Sequence, residues 1–246
     1  MGRRCGCGWR VLAAGATRRA VLAALAGATG LGTRGRPGRA SLARAEDAVA
    51  AAAGFPRLGL PWAVGETWLL GGGPHSAWGD GARPRSALDF SPWPGGSGAV
   101  RAAADGVAAV GCAAEVRLDH ADGWQTGYSH LGDTAVSDTQ RVVRGQRLGT
   151  AAGATDCGGA SGGPHVHFTL QRHSVHQEIA GLDLGGWVVE EGADDYQGCL
   201  VTGTVRACAN DGAIRNDGTI GRGGTLPVPA ATPAGRPRWS NGRREP

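Results

Sequence analysis

The stretch SGGPHVHFTLQR, residues 161–172, carries the clearest indication of fold in this chain. After a Gly-Gly-Pro turn, its residues alternate between polar and apolar, which is the pattern of a β-strand with one buried face. Successive side chains of a strand point to opposite faces, so His165 and His167 lie on the same face. Two imidazoles on one face are a common beginning of a metal site.

Short alternating runs broken by Gly, Asp-Gly and Pro recur on both sides of this stretch, whereas helical periodicity is nearly absent beyond the N-terminal region. This pattern is typical of antiparallel sheet. We therefore predict a mainly β fold, a single antiparallel β-sheet domain with few or no long helices. The predicted strands are two short ones in 100–111, a hairpin of 115–120 with 124–131, a strand pair in 141–151, the strand that follows Pro164, and a terminal hairpin in 196–210.

The two ends of the chain differ from its middle in composition. Arg18-Arg19, the apolar run 20–32 and the small residues Ala43 and Ala45 form the layout of a secretory signal, and the arginine pair is compatible with the twin-arginine route. Thirteen apolar residues fall short of the roughly 20 that span a membrane, so no stable membrane insertion is expected after signal removal. We predict a signal peptide at 1–45, a short linker at 46–55, the folded β domain at 56–218, and a disordered Pro/Gly/Arg tail at 219–246.

The basic charge of the chain belongs to these ends. All 25 basic side chains are Arg; nine lie in residues 1–45 and five in residues 222–246. Residues 46–221 hold eleven Arg against twenty Asp and Glu, a net charge of −9. A nucleic-acid groove needs clustered basic residues on the folded domain, so no nucleic-acid partner is expected.

An exported protein can form disulfides, and the cysteine count fits this expectation. Cys5 and Cys7 lie in the predicted signal peptide, which leaves Cys112, Cys157, Cys199 and Cys208. Four cysteines allow three connectivities. We favour Cys112–Cys157 and Cys199–Cys208, the second of which staples the terminal hairpin. None of the spacings resembles the C-x2-C pattern of a cysteine zinc site.

Three further residues qualify as parts of a metal centre. His75 lies in the glycine-flanked turn GGGPHS, Asp89 lies in SALDF, and His130 ends the predicted strand WQTGYSH. A hydrolytic zinc centre needs three protein ligands, an open position for water and a nearby base. Together with His165 and His167, these residues are enough to supply three zinc ligands and a base. Asp80 is an alternative to Asp89 as the carboxylate ligand.

The segments GGGPHS, SALDF, GYSHL and GGPHVHF, in this order, resemble the lysostaphin-type (LytM-like) zinc metalloendopeptidases. The subgroup of staphylolysin and β-lytic metalloendopeptidase is the most similar, and VVRGQRLGTAAG together with the four cysteines fits it. The resemblance covers residues 57–217. Each motif alone is weak evidence for this family, whereas the four motifs in this order are strong evidence for it.

The resemblance implies that His75, Asp89 and His167 bind one Zn²⁺ per chain and that His130 and His165 are catalytic. Tyr196 resembles a substrate-contacting tyrosine of the subgroup. The implied protein is a secreted or cell-wall-associated monomer that hydrolyses peptide bonds in peptidoglycan cross-bridges, at glycine-rich bonds. The alternatives are a non-catalytic wall-binding or amidase-regulating module on this fold, or a protease of glycine-rich proteins.

Other residues have competing interpretations. GASGGP, residues 159–164, looks like the nucleophile loop of a serine protease with Ser161 as nucleophile, but Ala160 stands where trypsin-like enzymes have an aspartate. His120 alternates with Val116 and Leu118, which favours a core or edge role. An acidic run is expected to form a solvated surface: Asp183, Glu190, Glu191, Asp194 and Asp195.

Overall fold

The computed structural model describes residues 55–210 and 212–223, and the described chain is built almost entirely of β-strands. One short 3-10 turn at Ala121–Gly123 is the single helical element among these residues. The strands are β1 Thr67–His75, β2 Ala87–Pro92, β3 Ala99–Arg101, β4 Gly106–Cys112, β5 Glu115–Asp119, β6 Trp124–Ser129, β7 Leu131–Gly132, β8 Arg141–Val142, β9 Arg147–Ala151, β10 Val166–Arg172, β11 Val175–His176, β12 Asp183–Leu184, β13 Trp187–Glu191, β14 Gly198–Thr202, β15 Val205–Cys208 and β16 Ala213–Arg215.

The strands form three sheets with antiparallel pairing. The main sheet has the order β16-β1-β2-β10-β6-β5-β4-β8, with β11 paired to β10. A four-stranded sheet runs β12-β13-β14-β15, and a three-stranded sheet runs β3-β9-β7. The predicted mainly β, antiparallel fold is confirmed. Within the described part of the chain, no helix is long and apolar enough to cross a membrane.

The predicted domain ends fall mostly outside these residues. The signal peptide at 1–45, with Cys5 and Cys7, lies entirely outside the described residues. The same holds for the linker up to residue 54 and for the tail from residue 224. These assignments stay predictions.

Two predicted hairpins are present, and one predicted pair is wrong. β5 pairs with β6 from Glu115↔Ser129 to Asp119↔Gln125, as the alternation indicated. β14 and β15 form the hairpin at 196–210, although β16 follows it and adds to the edge of the main sheet. β8 and β9 both form, but β8 pairs with β4 while β9 pairs with β3 and β7. Alternation identifies strands locally, whereas tertiary contacts select their partners.

The main sheet has one apolar and one polar face. Side chains on one face, such as Phe90, Tyr128 and Phe168, are fully buried and their rings contact one another. The intervening residues, such as Asp89 on β2 and His167 on β10, project from the other face, because successive residues of a strand alternate. The core therefore lies beneath the sheet and leaves a polar face for chemistry.

The two disulfides are the ones favoured from the sequence, Cys112–Cys157 and Cys199–Cys208. Cys199 and Cys208 are direct partners across the β14–β15 pair. Cys112 ends β4, and Cys157 lies in the loop that follows β9. The first disulfide therefore fastens a long loop to the edge of the main sheet.

Removing the Cys112–Cys157 disulfide is expected to destabilise the protein. The bond joins residues 45 positions apart, and loop-closure entropy for such a span contributes about 4 kcal/mol. A Cys112→Ser/Cys157→Ser variant should lose about 2–4 kcal/mol of unfolding free energy in urea titrations. The matched Cys199→Ser/Cys208→Ser variant should lose less unfolding free energy, because this disulfide joins residues only nine positions apart. A larger loss of unfolding free energy in Cys199→Ser/Cys208→Ser than in Cys112→Ser/Cys157→Ser would contradict this prediction.

His120 belongs to a polar network at the end of β5, in agreement with its predicted structural role. Its Nδ1 donates to the carbonyl of Asp105 (2.7 Å), so its Nε2 accepts from the hydroxyl of Thr126 (2.9 Å). That hydroxyl also hydrogen-bonds the Tyr128 hydroxyl, which accepts from the backbone N–H of Ala103. Burial lowers the pKa of His120 and raises the pKa of Tyr128 to about 12. Both groups are therefore neutral in the folded protein near pH 7.

Acidification is expected to destabilise the fold through His120. Below about pH 6.5 the unfolded chain protonates this imidazole while the folded chain does not, so the unfolded state binds more protons. The free energy of unfolding should then fall by up to about 1.4 kcal/mol per pH unit from this group. Urea titrations at several pH values between 7.5 and 5.5 give the free energy of unfolding as a function of pH. This free energy should change less steeply with pH for His120→Gln than for the parent. His173→Gln, at an exposed position, is the control, and equal slopes for all three proteins would refute the assignment.

Candidate metal centre

The candidate ligands meet because three neighbouring strands of the main sheet, β1, β2 and β10, carry them to one place. On β10, His167 lies directly opposite Asp89 of β2, which in turn lies opposite Gly72 of β1. On its other side His167 lies opposite Ser129 of β6. His75 ends β1 after an irregularity in the β1–β2 register, which brings its side chain to the same place. The sheet register, rather than one local segment, assembles the centre.

Three donor atoms converge at this place. His167 Nδ1 lies 2.9 Å from Asp89 Oδ1, and His75 Nε2 lies 3.3 Å from His167 Nδ1 and 3.6 Å from Asp89 Oδ1. The three side chains could hold a metal ion together, since one donor atom of each lies within 4.8 Å of the others. His75 is fully buried, whereas the side chains of His167 and Asp89 are 13% and 17% exposed. The cluster therefore opens to solvent on one side only.

Backbone contacts prepare His75 to bind a cation. Its Nδ1 donates to the carbonyl of Gly73 (2.7 Å), which leaves the lone pair on Nε2. Burial lowers the pKa of His75, against the charge of Asp89 and this hydrogen bond, so the ring is neutral. Imidazole nitrogens and carboxylate oxygens are ligand types that zinc binds in proteins. The residues present fit a zinc ion.

His130 and His165 lie beside the cluster without being part of it. Their rings are 4.7 Å apart, and His165 Nε2 is 3.8 Å from Asp89 Oδ1. His130 Nδ1 donates to the carbonyl of Ala154 (2.7 Å), and His165 Nδ1 donates to that of Gly163 (2.9 Å). Each ring therefore turns its Nε2 away from the carbonyl that binds its Nδ1. Two bases stand next to the three converging donors.

The chain holds His130 in an unusual backbone conformation. Its φ is +64°, in the left-handed region that few residues other than glycine adopt. The N–H groups of Ala152 and Gly153 both donate to its carbonyl, so segment 152–154 holds its backbone as well as its ring. Cys157 continues this segment, and its disulfide fastens the segment to β4. A non-glycine residue whose left-handed backbone conformation is held by several hydrogen bonds is often a functional residue, which supports a role for His130.

Asp89 is ionised despite its burial. Burial acts to raise the pKa of Asp89, but the hydrogen bond with His167 and the attraction to His75 outweigh it, so the pKa is lowered. Burial also lowers the pKa of His130, with further repulsion from His165. The cluster therefore combines an anionic carboxylate with two imidazoles of lowered pKa, those of His75 and His130.

Tyr196 covers the buried ligand His75. Their rings stack with centroids 4.0 Å apart, and the tyrosine is 42% exposed. The backbone of Tyr196 pairs with residues 73 and 74 beside it. Gly72 permits this contact, because a Cβ at that position would lie 2.9 Å from Asp89 Oδ2 and 3.0 Å from Tyr196 Cδ1. Tyr196 thus lies at the boundary between the metal centre and solvent.

The expectation of a solvated acidic run is wrong for Glu191 and Asp195. Arg85 Nε donates to Asp195 (2.6 Å), and Arg85 NH1 donates to Glu191 (2.7 Å). Arg85 also donates to the carbonyls of Gly192 and Ala193. The mostly buried guanidinium of Arg85 therefore binds the loop that leads to Tyr196, and Arg83 adds a second ion pair to Glu191. Composition alone could not show this, because the cation comes from a distant part of the sequence.

The structure also bears on the competing site residues. Asp80 is exposed and bonds the Ser76 hydroxyl (2.5 Å), and it does not belong to the converging group. The Ser161 hydroxyl donates to the Gly163 carbonyl (2.9 Å), the same acceptor that His165 Nδ1 uses. Since both protons point at that carbonyl, His165 does not activate Ser161 as a base activates a serine nucleophile.

An antiparallel sheet that carries a His–Asp–His cluster with two flanking histidine bases defines a metallopeptidase type of centre. The sequence profile of peptidase family M23 matches residues 84–179, a span that includes Asp89, His130, His165 and His167. The solved structure of pseudoalterin, an M23 metalloprotease from the deep sea, is 30% identical, and the match covers 63% of this chain and 96% of pseudoalterin with a TM-score of 0.57. This chain belongs to peptidase family M23, and the family resemblance inferred from the motifs is confirmed.

Curated relatives agree with this assignment. Protease LasA of Pseudomonas aeruginosa is 35% identical over 145 residues, which are 56% of this chain and 34% of LasA. The β-lytic metalloendopeptidase of Achromobacter lyticus is 29% identical over 175 residues, which are 66% of this chain and 43% of that protein. The chain therefore spans less than half the length of these two relatives.

Proposed function

We propose that this protein is a secreted, zinc-dependent metalloendopeptidase that hydrolyses peptide bonds in the cross-bridges of peptidoglycan. The observation that carries the proposal is the convergence of His75 Nε2, His167 Nδ1 and Asp89 Oδ1 next to two further imidazoles, each held through its Nδ1 by a backbone carbonyl. His75, Asp89 and His167 would hold one zinc ion per chain. When bound, zinc lowers the pKa of a coordinated water towards about 7 and polarises a carbonyl.

The flanking histidines would move the protons. Nε2 of His165 takes a proton from the attacking water as its oxygen bonds the peptide carbonyl carbon. Because its Nδ1 proton is committed to Gly163, the imidazolium can release only the proton on Nε2. That proton goes to the leaving amine as the C–N bond breaks. The negative charge that develops on the oxyanion favours uptake of a proton from solvent by His130 Nε2, and the protonated ring then donates a hydrogen bond to the oxyanion.

Two features support the substrate and location. The family resemblance implies peptidoglycan cross-bridges with glycine-rich bonds. Two disulfides are usual in an oxidising compartment outside the cytoplasm. We propose a monomer, with no nucleic-acid partner and no membrane insertion after signal removal.

The proposal is tested with the mature, zinc-loaded protein on purified peptidoglycans with and without glycine bridges. Mass spectrometry of the released peptides should show cleavage at one type of peptide bond, and a chelator should abolish it. Glycine-rich protein substrates form the second arm. If the peptidoglycan stays intact while the glycine-rich protein substrates are cleaved, the enzyme is a protease of glycine-rich proteins. Binding to wall without any hydrolysis would support the non-catalytic module.

Tyr196 is expected to contact the substrate with its hydroxyl. Burial and the nearby carboxylates of Asp89 and Asp195 raise the pKa of Tyr196, so the hydroxyl stays a donor. Tyr196→Phe keeps the ring that stacks on His75 but removes this donor, and kcat/KM should fall about 10-fold, as for one lost hydrogen bond. Zinc affinity should not change. An unaltered kcat/KM would show that the tyrosine is only a cover for His75.

A further inference from the structure

Glu115 stands at the end of the row that carries the candidate ligands. On the main sheet, Asp89 lies opposite His167, His167 lies opposite Ser129, and Ser129 lies opposite Glu115. Directly opposite residues on adjacent strands project from the same face, with Cβ atoms about 4.5–5.5 Å apart. Two carboxylates therefore flank His167 in one row, Asp89 one strand away and Glu115 two strands away on the other side.

The ring of His167 has one nitrogen without a partner. Its Nδ1 faces Asp89 at 2.9 Å, so its Nε2 lies on the other side of the ring. Nε2 is buried and makes no hydrogen bond to any described residue. An imidazole that binds a cation through Nδ1 carries its proton on Nε2, and a buried N–H without an acceptor is unfavourable. Metal-bound histidines usually donate this proton to a carboxylate, a carbonyl or water.

Glu115 has the position and charge to supply that acceptor. It is half-buried, and burial raises the pKa of its carboxyl, while the charge of Arg117 and the attraction to His167 act in the opposite direction. The strand register places this carboxylate on the same face as the His167 ring, two strands away across β6. Ser129 stands between the two side chains, and a hydroxyl can accept one hydrogen bond while it donates another.

We propose that Glu115 is a positioning residue for His167. When a cation binds Nδ1, the Nε2–H of His167 donates to the Ser129 hydroxyl, and this hydroxyl donates to the Glu115 carboxylate; the side chains form these two hydrogen bonds on binding, since Nε2 has no partner before it. The chain fixes the ring so that Nδ1 faces the metal position, and it compensates the charge that the imidazole gains on binding a cation. This role rests on the proposed metal centre, in which His167 is a ligand.

The first test is the zinc affinity of the full chain, measured by competition with a chelator of known affinity. Glu115→Gln keeps the size of the side chain but removes its charge, and it should weaken zinc binding about 10–100-fold, as loss of an outer-shell partner does. Ser129→Ala interrupts the same chain and should weaken binding to a similar degree. Asp119→Asn, on the same strand and face as Glu115, makes the same change of charge and should stay within about twofold of the parent.

The second test reads the Nε2 proton of His167 directly. With ¹⁵N-labelled histidine, the zinc-loaded parent should show a slowly exchanging Nε2–H resonance that is absent from a His167→Ala variant. In Glu115→Gln and Ser129→Ala this resonance should shift and exchange faster with solvent, an effect that a general loss of stability would not confine to one ring. Circular dichroism and disulfide content identify any variant that does not fold, and the other variant then decides.

The outcomes separate this inference from the proposed function. A parent that binds no zinc would overturn the metal centre and this role with it. A parent that binds zinc, with a Glu115→Gln variant of unchanged affinity and resonance, would overturn the role of Glu115 alone. If Glu115→Gln weakens binding but Ser129→Ala does not, the hydroxyl bridge is wrong.

Discussion

His167→Ala is expected to abolish both zinc binding and hydrolysis. His167 supplies one of the three converging donors, and its Nδ1 also forms the 2.9 Å contact that keeps Asp89 ionised. Removing it leaves His75 and Asp89, and two ligands do not complete a catalytic zinc site, which takes three from the protein. The loss of affinity should exceed the roughly 100-fold upper range for outer-shell changes.

The matched control for this variant is Thr169→Ala. Thr169 is the next residue of β10 on the same face, and it is also buried, but it supplies no donor atom to the cluster. Both proteins should retain their strand content by circular dichroism and both disulfides. Zinc content measured after dialysis should be about one ion per chain for Thr169→Ala and near zero for His167→Ala. A His167→Ala protein that keeps a full zinc ion and its activity would exclude this centre.

The structure brings together the residues that the sequence predicted for the centre, but the way in which they are held was not predictable. His165 and His167 could be placed on one face because the two-residue period of a strand is local. The ordered motifs added His75, Asp89 and His130. By contrast, the carbonyls of Gly73, Ala154 and Gly163, which select the tautomer of each ring, leave no trace in side-chain identity.

Long-range register explains the other omissions. Alternation in EVRLDH places Glu115 and Arg117 on one face, but only the pairing of β5 with β6 and of β6 with β10 puts Glu115 in the row of His167. The clamp from Arg85 to the loop before Tyr196 is likewise a contact between distant segments. Strand pairing depends on tertiary contacts, so a local pattern could not assign β8 and β9 to different sheets.

Removing either flanking histidine should separate catalysis from metal binding. His165→Ala is expected to lower kcat by about 10²–10⁴-fold, the range for a positioned general base, because the water would lose its proton acceptor. Zinc content should stay at one ion per chain, since His165 Nε2 lies beside Asp89 at 3.8 Å but is not one of the converging donors. At position 130 asparagine is the better substitution, because it tolerates the left-handed backbone that His130 adopts.

The double variant tests whether the two rings act as one unit. If His165 takes the proton and His130 stabilises the charge that results, either loss disables the same step. His130→Asn/His165→Ala should then be little slower than the worse single variant, since residues that act together are strongly non-additive. If the fold losses of kcat in the two single variants multiply in the double variant, the two rings act in separate steps.

A single variant with full activity would show that its histidine takes no part in the mechanism. A parent that binds zinc and wall but hydrolyses nothing would leave both rings without a catalytic role and would identify the protein as a binding module.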